Sequence, residues 1–300
     1  MTKVSIIMTC HNGEIYLRQA IKSIISQTFK KWELIFLDNN STDNSKKIFY
    51  EFKDKSMFYF KNDFTLNLGA ARNLAFKKCK GDLITVLDVD DLWNKNKLML
   101  QFKEFQKKKN IQILYTKYYI LKNKKLFKKK NHNFVRGKCK NDIIFSYIEG
   151  RPLTAWLTLM IRKKAIKSLN YAFDKKLHIS SDFDLIYRLS DFCNFDYLNK
   201  YLASYRAHLK NESSKSSSTE INELNYIFKK IKKDKIFKNN KVVSKFTEKL
   251  LLKKFFLDKI KNNKSNLKIK EISYFRYQIV YILIKFLPKI VLLKIKKLKS

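Results

Sequence analysis

The sequence predicts an α/β fold built on a mostly parallel sheet flanked by helices. Over the first hundred residues, short apolar runs alternate with amphipathic stretches, which is typical of β-α-β units. Polar residues follow the successive apolar runs, at the carboxyl ends of the predicted strands. Ligands bind at these ends in open α/β sheets, so the same pattern also predicts where a site would lie.

The predicted elements follow one another in order. Apolar runs indicate strands at 4–8, 32–37, 57–60, 83–87, 111–115, 118–121 and 156–161. Helical spacing indicates helices at 17–25, 70–79 and 182–189, and a further helix, the second along the chain, is expected to run to about 52. Ser41 or Asp43 is expected to cap the second helix. Residues 122–140 read as a basic, low-complexity loop, and the Ser-rich segment 212–219 reads as a boundary before a Lys-rich helical region.

Charge is distributed unevenly along the chain. There are 65 Lys and Arg residues against 26 Asp and Glu, a net charge of +39, which favours a polyanionic partner such as nucleic acid or an anionic membrane. Only eight of the 65 are Arg, although the planar guanidinium is favoured for reading phosphates and bases. Residues 1–100 carry 16 basic and 11 acidic groups, whereas residues 211–300 carry 24 and 7. AT-rich coding is an alternative explanation for part of the lysine excess.

The cysteines and the N-terminus indicate a compartment. Cys10, Cys79, Cys139 and Cys193 lie far apart without a C-x-x-C pair, so neither a zinc site nor a disulfide framework is indicated and a reducing cytosol is expected. The N-terminal apolar run is interrupted at 9–14 and lacks a cleavage site, so it is interpreted as a strand and not as a signal peptide.

An acidic tetrapeptide is the sharpest local feature. Asp88, Asp90 and Asp91 place three carboxylates in four positions after a predicted strand. Such oxygen-rich clusters suit Mg²⁺ or Mn²⁺ bridged to substrate phosphates. A solvated turn or a helix cap is the alternative interpretation.

Four segments together resemble a known family. VSIIMTCHNG at 4–13, LDNNSTD at 37–43, NLGAARN at 67–73 and LDVDDLW at 87–93 are similar, in order and spacing, to the nucleotide-sugar half of the family-two glycosyltransferases with the GT-A fold. The resemblance covers about residues 3–210. It implies a catalytic domain at 1–215, with a nucleotide-sugar half at about 1–93 and an acceptor half at about 94–215, followed by a basic helical C-terminal extension at 216–300.

The resemblance also implies which residues hold the donor. The residues that match the family's nucleobase and ribose positions are Thr9, His11, Asn12, Glu14 and Asp38. An Asp carboxylate can accept the ring N–H of a uracil or thymine, so this match is chemically coherent. The resemblance implies a nucleotide diphosphate sugar as the donor, and a UDP-sugar is expected. Arg72 matches a position near the diphosphate, where its fork of donors suits phosphate oxygens, and Gly69 would let the backbone approach the donor. Family members commonly have Tyr at His11 and Asp at Asn39; a plain loop residue is the alternative for His11 and a surface Arg for Arg72.

The resemblance also implies a metal site and a catalytic base. Asp88 and Asp90 match the metal-and-ribose pair, with Asp90 the expected direct ligand of Mn²⁺ or Mg²⁺, and His208 in YRAH at 205–208 could complete the metal shell. Asp182 matches the base that removes the acceptor proton in an inverting transfer. Asp184 is its alternate, and Ser181 stands where the family usually has Glu. A helix N-cap is the other interpretation of Asp182, and a surface histidine that of His208.

The C-terminal tail is both apolar and basic. Its longest uncharged run, 277–284, is too short to span a bilayer. Lys285, Lys289, Lys296 and Lys299 fall in one helical sector, and Pro288 is expected to kink or divide the helix. An interfacial helix on an anionic membrane is one interpretation, and a terminal helix packed on its own domain is the other.

Together these features predict an enzyme at the cytoplasmic face of a cell membrane. We expect it to transfer a single sugar from a nucleotide-sugar donor to a glycan or lipid-linked glycan acceptor, such as lipooligosaccharide, O-antigen or capsule. The Gln-x-x-Arg-Trp signature of processive members is missing from the sequence. A nucleotidyltransferase or other nucleotide-sugar-processing enzyme is one alternative class, although the sequence lacks the Gly-rich phosphate loop that such an enzyme would have before its first helix. A basic nucleic-acid-binding protein is the other. For the predicted enzyme, no nucleic-acid partner is expected.

Overall fold

The computed structural model describes residues 3–129, 134–148, 155–208, 211, 218–233, 241–261, 267–268, 272, 275–288 and 291–292. The chain divides into two compact units, Met1–Ala207 and His208–Ser300. The first unit contains the sheet, and the described part of the second is helical.

One sheet organises the first unit. Its strands, within the described residues, are β1 (Val4–Cys10), β2 (Trp32–Asp38), β3 (Met57–Lys61), β4 (Leu83–Val86), β5 (Leu92–Trp93), β6 (Ile113–Lys122), β7 (Lys125–Lys128), β8 (Met160–Arg162) and β9 (Phe195–Arg206). Their order is β3-β2-β1-β4-β8-β6-β9-β5, with β7 paired to β6. Strands β1 to β4 are parallel to one another in the order β3-β2-β1-β4, and β6 is parallel to β9. Strands β5, β7 and β8 run antiparallel to theirs. The predicted α/β class with a mostly parallel sheet is confirmed.

Helices pack on this sheet through apolar faces. They are α1 (Glu14–Ile25), α2 (Ser45–Phe52), α3 (Leu68–Lys78), α4 (Lys97–Lys107), α5 (Lys140–Ile148), α6 (Lys163–Lys167) and α7 (Ser181–Leu189). Every residue of β1 and β2 is buried, as expected for central parallel strands covered on both faces. In α1, buried Leu17, Ala20, Ile21 and Ile24 pack into the same core as β1 and β2.

Several predicted boundaries were wrong for local reasons. Helix α2 begins after Asn44, so neither Ser41 nor Asp43 is its N-cap, although the Asp43 carboxylate accepts the Ser45 N–H at 2.9 Å. The two strands predicted at 111–115 and 118–121 are one strand, β6, whose pairing with β9 shifts register around Lys117. The predicted strand at 156–161 begins as a 3-10 turn and becomes β8 only at Met160.

The basic segment 122–140 is not a loop throughout. Residues 125–128 form β7, which pairs with β6 through a two-residue turn at Asn123 and Lys124. Both turn residues have positive φ, 49° and 62°, which is the backbone that tight hairpins require. Residues 130–133 of this segment lie outside the described residues.

The second unit contains α8 (Ser218–Lys232), α9 (Lys241–Lys261) and α10 (Phe275–Phe286). Helix α10 ends before Pro288, which lacks the N–H that a continuing helix needs. Of the four lysines predicted to share a sector, Lys285 is described, whereas Lys289, Lys296 and Lys299 lie outside the described residues, as do residues 212–217 of the predicted boundary. Among the described helices, none combines the length and apolarity needed to cross a bilayer.

Candidate active site

Three loops meet where the central strands end. Parallel pairing aligns Cys10 with Asp38 on β1 and β2, and Ile7 with Val86 on β1 and β4. The loop after β1, the loop after β2 and the acidic turn after β4 therefore leave the sheet at one edge. The predicted donor and metal residues of these loops lie together at that edge.

The loops after β1 and β2 are tied to each other by side chains. The Asn12 Oδ1 accepts the Thr42 N–H at 2.8 Å, and the Asn12 N–H donates to the Ser41 Oγ at 3.1 Å. Glu14 Oε2 accepts both the backbone N–H and the side-chain amide of Asn44, at 3.0 and 2.8 Å. Asn12 and Glu14, both predicted to bind the donor, thus also hold the shape of the loops.

Asp38, which is predicted to bind the nucleobase, is buried, and its carboxylate accepts two hydrogen bonds. Its Oδ1 accepts the Ser41 N–H at 2.7 Å and its Oδ2 accepts the Tyr59 hydroxyl at 2.5 Å. Burial and the Asp38 charge raise the pKa of Tyr59, so this phenol stays protonated and donates. Each carboxylate oxygen has a second lone pair, which leaves Asp38 able to accept one more hydrogen bond.

Thr9, His11 and Asn39 complete this part of the site. The exposed His11 has its Nδ1 at 3.0 Å from the Asn39 carbonyl oxygen. Within the described residues, the buried Oγ1 of Thr9 has no hydrogen-bond partner. Asn39, where the family commonly has Asp, uses its amide to bind both the N–H and the carbonyl of Leu66, at 3.0 and 2.8 Å. An amide can donate and accept at once, so Asn39 fixes the loop between β3 and α3 as a carboxylate could not.

Arg72 connects the acidic turn to the start of α7. Its Nη2 donates to the Asp88 Oδ1 at 3.1 Å and its Nη1 donates to the Ser181 Oγ at 3.1 Å. The guanidinium carbon lies 5.4 Å from the centre of the Trp156 ring, a cation–π contact. The side chain is only 4% exposed, so the alternative of a surface arginine was wrong. Within the described residues, the buried Arg72 Nε and Trp156 Nε1 have no hydrogen-bond partner, leaving two N–H donors available to a ligand.

The two candidate bases differ sharply in their surroundings. Asp182 is partly exposed and its Oδ1 accepts the Phe183 N–H at 2.7 Å. Loss of water raises its pKa, the Arg72 charge opposes that rise, and the Asp88 charge adds to it. Asp184 is fully buried and its Oδ2 accepts from Arg188 Nε at 2.8 Å. Arg188 also donates to the carbonyls of Tyr171 and Ala172, at 2.8 and 2.6 Å. Asp184 therefore has a structural ion pair, whereas Asp182 can face a substrate.

The acidic turn is held by Arg206, a residue whose role sequence reasoning missed. The backbone N–H of Arg206 donates to the Asp91 Oδ1 at 2.9 Å, and its side-chain Nε donates to the Asp90 carbonyl oxygen at 2.8 Å. The guanidinium also donates to Gln19 at 2.7 Å and lies 4.6 Å from the centre of the Tyr16 ring. The only sequence signal was its place beside the histidine of YRAH, which drew attention to His208 instead.

The charge of the turn fits a divalent cation. Burial, followed by the charges of Asp90 and Asp88, raises the pKa of Asp91 well above its usual range, and Asp91 turns inward to Arg206. In the described part of the chain, no group of three or more His, Cys, Asp or Glu side chains is arranged to hold a metal. Mg²⁺ characteristically uses one or two carboxylates together with substrate phosphates and water. Asp88 and Asp90 supply oxygen donors of that kind, so the donor set fits the predicted ion when a diphosphate is bound.

Two further predicted positions have other surroundings. Gly69 does not leave space for a donor: a Cβ there would lie 2.2 Å from the Asp174 carbonyl oxygen and 2.6 Å from that of Leu177. Its missing side chain instead lets α3 pack on the segment that leads into α7. His208 belongs to the second unit, where its Nε2 lies 3.2 Å from the Asn211 Nδ2 and its N–H donates to the Asn211 Oδ1 at 2.6 Å. Its metal role stays a prediction.

The fold is that of the GT-A class of glycosyltransferases. The structure is similar to that of the S. aureus TarS 1-349 fragment in complex with UDP-GlcNAc, with a TM-score of 0.64 and 17% identity over 94% of this chain and 79% of that one. At this identity the likeness shows the fold.

Sequence comparisons give the family. The sequence model of the family described as Glycosyl transferase family 2 matches residues 5–169 of this chain. An uncharacterized glycosyltransferase of Methanocaldococcus jannaschii is 34% identical over 209 residues, 68% of this chain and 70% of that protein. The chain therefore belongs to glycosyl transferase family 2 and is a glycosyltransferase. It is also 38% identical over 120 residues to Escherichia coli WfgD, a UDP-Glc:alpha-D-GlcNAc-diphosphoundecaprenol beta-1,3-glucosyltransferase, covering 40% of this chain and 47% of WfgD.

Proposed function

We propose that the first unit transfers one sugar, with inversion, from a UDP-sugar to a hydroxyl of a lipid-linked bacterial surface glycan. The Arg72 bridge carries the proposal, because it joins Asp88 of the acidic turn to Ser181, the neighbour of Asp182. A displacement at the anomeric carbon needs a base on one side and a stabilised diphosphate on the other. One buried guanidinium thus ties the acidic turn to the start of α7, where Asp182 lies.

Asp182 acts as the base. It accepts the proton of the acceptor hydroxyl while the acceptor oxygen bonds to the anomeric carbon and the bond from that carbon to the diphosphate oxygen breaks. Its raised pKa makes it a stronger base than an ordinary carboxylate, which aids proton transfer. Asp184 does not serve, because its charge is already neutralised by Arg188.

The diphosphate leaves as a charged group, so its stabilisation contributes to the rate. Arg72 presents a buried cation, and its unpartnered Nε is a donor for a phosphate oxygen. Mn²⁺ or Mg²⁺ held by Asp90 and Asp88 would neutralise the charge that develops on the leaving group. Thr9, His11, Asn12, Glu14 and Asp38 surround the uridine, with the unpartnered Thr9 hydroxyl available to it.

The donor and acceptor classes rest on similar proteins. TarS forms a complex with UDP-GlcNAc, and the name of WfgD specifies UDP-glucose and a diphosphoundecaprenol-linked sugar. A lipid-linked acceptor would hold the enzyme at the inner face of the cell membrane, where the basic C-terminal third meets an anionic surface. The acceptor glycan would be lipooligosaccharide, O-antigen or capsule.

The test is release of nucleoside diphosphate by the full chain. A panel of nucleotide sugars is screened by thermal shift with Mn²⁺, and the preferred donor is then assayed for UDP with membrane extracts as acceptor. Asp90→Ala should abolish release, whereas Asp82→Ala should not, because Asp82 lies before β4 at the opposite edge and its side chain forms an exposed ion pair with Lys3. Release of pyrophosphate, or full activity of Asp90→Ala, would refute the proposal.

A further inference from the structure

Helix α10 is apolar on two opposite faces. Its sequence, FRYQIVYILIKF, contains only two charged residues. A helix with one neighbour ordinarily turns an apolar face inward and a polar face to water. The second apolar face of α10 therefore calls for an explanation beyond packing in its own unit.

The inner face is defined by contacts inside the second unit. The Tyr281 ring stacks on Phe255 of α9 with centroids 5.0 Å apart, and its hydroxyl donates to the Leu267 carbonyl at 3.0 Å. Ile284, one turn away, is 6% exposed and belongs to the same core as Leu252 and Phe255. The packing of α10 on α9 is thus complete without the opposite side of the helix.

The outer face carries four large apolar side chains. We name it the outer stripe: Ile279, Ile282, Leu283 and Phe286. At about 100° per residue these positions fall within a sector of about 100°. Phe286 is 73% exposed and Leu283 is 51% exposed. Contiguous exposed apolar side chains of this kind mark an interaction surface more often than an ordinary solvated face.

Charge decides between the candidate occupants. Residues 211–300 carry 24 basic and 7 acidic groups, and Lys285, beside the stripe, is exposed. A second copy of the chain would bring two such cationic units together, which charge repulsion opposes. An anionic bilayer matches both properties, because its headgroups attract the lysines and its acyl boundary accepts the apolar side chains.

We propose that the outer stripe is the surface by which this protein docks on an anionic lipid bilayer, with α10 lying in the plane of the interface. The inference rests on the proposed function in one respect, the lipid-linked acceptor that makes docking useful. Phe286, Leu283 and Ile282 enter the acyl boundary, and the long lysine side chains reach the headgroups.

The experiment uses the full chain and two kinds of vesicle. Sedimentation is measured with vesicles of phosphatidylglycerol and phosphatidylcholine in equal parts, and with phosphatidylcholine alone. Half-exposed Leu and Phe side chains contribute about a tenfold gain in partition each, so Leu283→Ser with Phe286→Ser should weaken binding about 100-fold. Ile279→Ser with Ile282→Ser is a second, independent pair. Phe192→Ser, a phenylalanine of the first unit that is 42% exposed, is the matched control and should bind like the unsubstituted chain.

Each outcome either supports or overturns docking through the stripe. Equal binding of both vesicle types, no loss in the two paired variants, or a dimer that these variants dissolve would overturn it. UDP binding with Mn²⁺, measured by calorimetry on every variant, separates this proposal from the proposed function. Lost vesicle binding with retained UDP binding supports docking, whereas an unsubstituted chain that binds vesicles but never UDP would defeat only the transferase proposal.

Discussion

Asparagine substitutions at Asp182 and Asp184 are expected to have opposite consequences, although the two residues are two positions apart on α7. Asp182→Asn should remove the base and leave the fold intact. Asp184→Asn should weaken the fold and leave the chemistry largely in place. The difference follows from burial, since Asp182 keeps part of its surface exposed whereas Asp184 is 0% exposed and paired with Arg188.

The magnitudes can be worked from these surroundings. Removing one partner of a buried ion pair costs about 3 kcal/mol of the free energy of unfolding, which is the expected loss for Asp184→Asn. For Asp182, the folded state raises the pKa, so its contribution to stability is present at low pH and is lost as pH rises through the folded pKa. Asparagine removes that cost, so Asp182→Asn should be as stable as the unsubstituted chain at neutral pH, or slightly more. Loss of a general base lowers kcat by about 10²–10⁴-fold.

Two measurements on each variant decide the matter: urea unfolding at neutral pH, and the initial rate of UDP release at saturating donor. The pH profile of the unsubstituted enzyme should fall on its acidic side at a higher pH than an ordinary Asp would give. A stable but inactive Asp184→Asn alongside an active Asp182→Asn would refute the assignment.

Three other changes test the supports of the site. Arg206→Ala should lower kcat about 10–100-fold with a smaller change in KM, because the side-chain hydrogen bond from Nε to the Asp90 carbonyl is lost while the backbone N–H bond to Asp91 remains; an unchanged UDP-release rate would show that the acidic turn keeps its shape without that side chain. Lys97, buried with its pKa lowered well below the usual value by burial, should make stability rise with pH in the alkaline range, since only the unfolded chain binds its proton; urea unfolding of Lys97→Met should lose that slope while exposed Lys95→Met keeps it. Gly69→Ala should cost about 1–3 kcal/mol in thermal unfolding, because its Cβ would overlap the Asp174 carbonyl, and a neutral result would contradict the close packing of α3.

Local patterns predicted the first half of the fold well because its information is local. Strands β1, β2 and β4 are short, mostly apolar runs, and β1, β2 and β3 are each followed by a helix. The missed elements have no such signal. Strand β9 contains Asn199, Lys200 and Tyr201 in its middle and is paired with β6. Strand β5 has two residues, which pair with β9.

The same distinction applies to the site. Asp88, Asp90, Arg72 and Asp182 could be selected as candidates because each lies in a short motif. Their pairing could not be predicted, since Arg72 meets Ser181 across 109 positions in the sequence. Arg206 lies 115 positions from Asp91 and is brought to it by β9. Contacts between residues so far apart in the sequence depend on the completed sheet. The sequence therefore identifies the candidate residues, whereas the fold determines which of them are in contact.

Salt should affect differently the binding of the two anionic ligands proposed for this protein, the nucleoside diphosphate and the lipid bilayer. Arg72 is 4% exposed, so ions screen its interaction with a diphosphate only weakly. The exposed lysines of the described C-terminal helices, such as Lys229, Lys254 and Lys285, face water, and their interactions beyond about 10 Å are screened at 0.1 M salt. Raising sodium chloride should therefore weaken binding to phosphatidylglycerol vesicles steeply and change UDP binding with Mn²⁺ only slightly. Sedimentation and calorimetry in the same salt series measure both. Parallel loss of the two activities would mean that the donor site also depends on exposed charge, and that the buried Arg72 is not its principal cation.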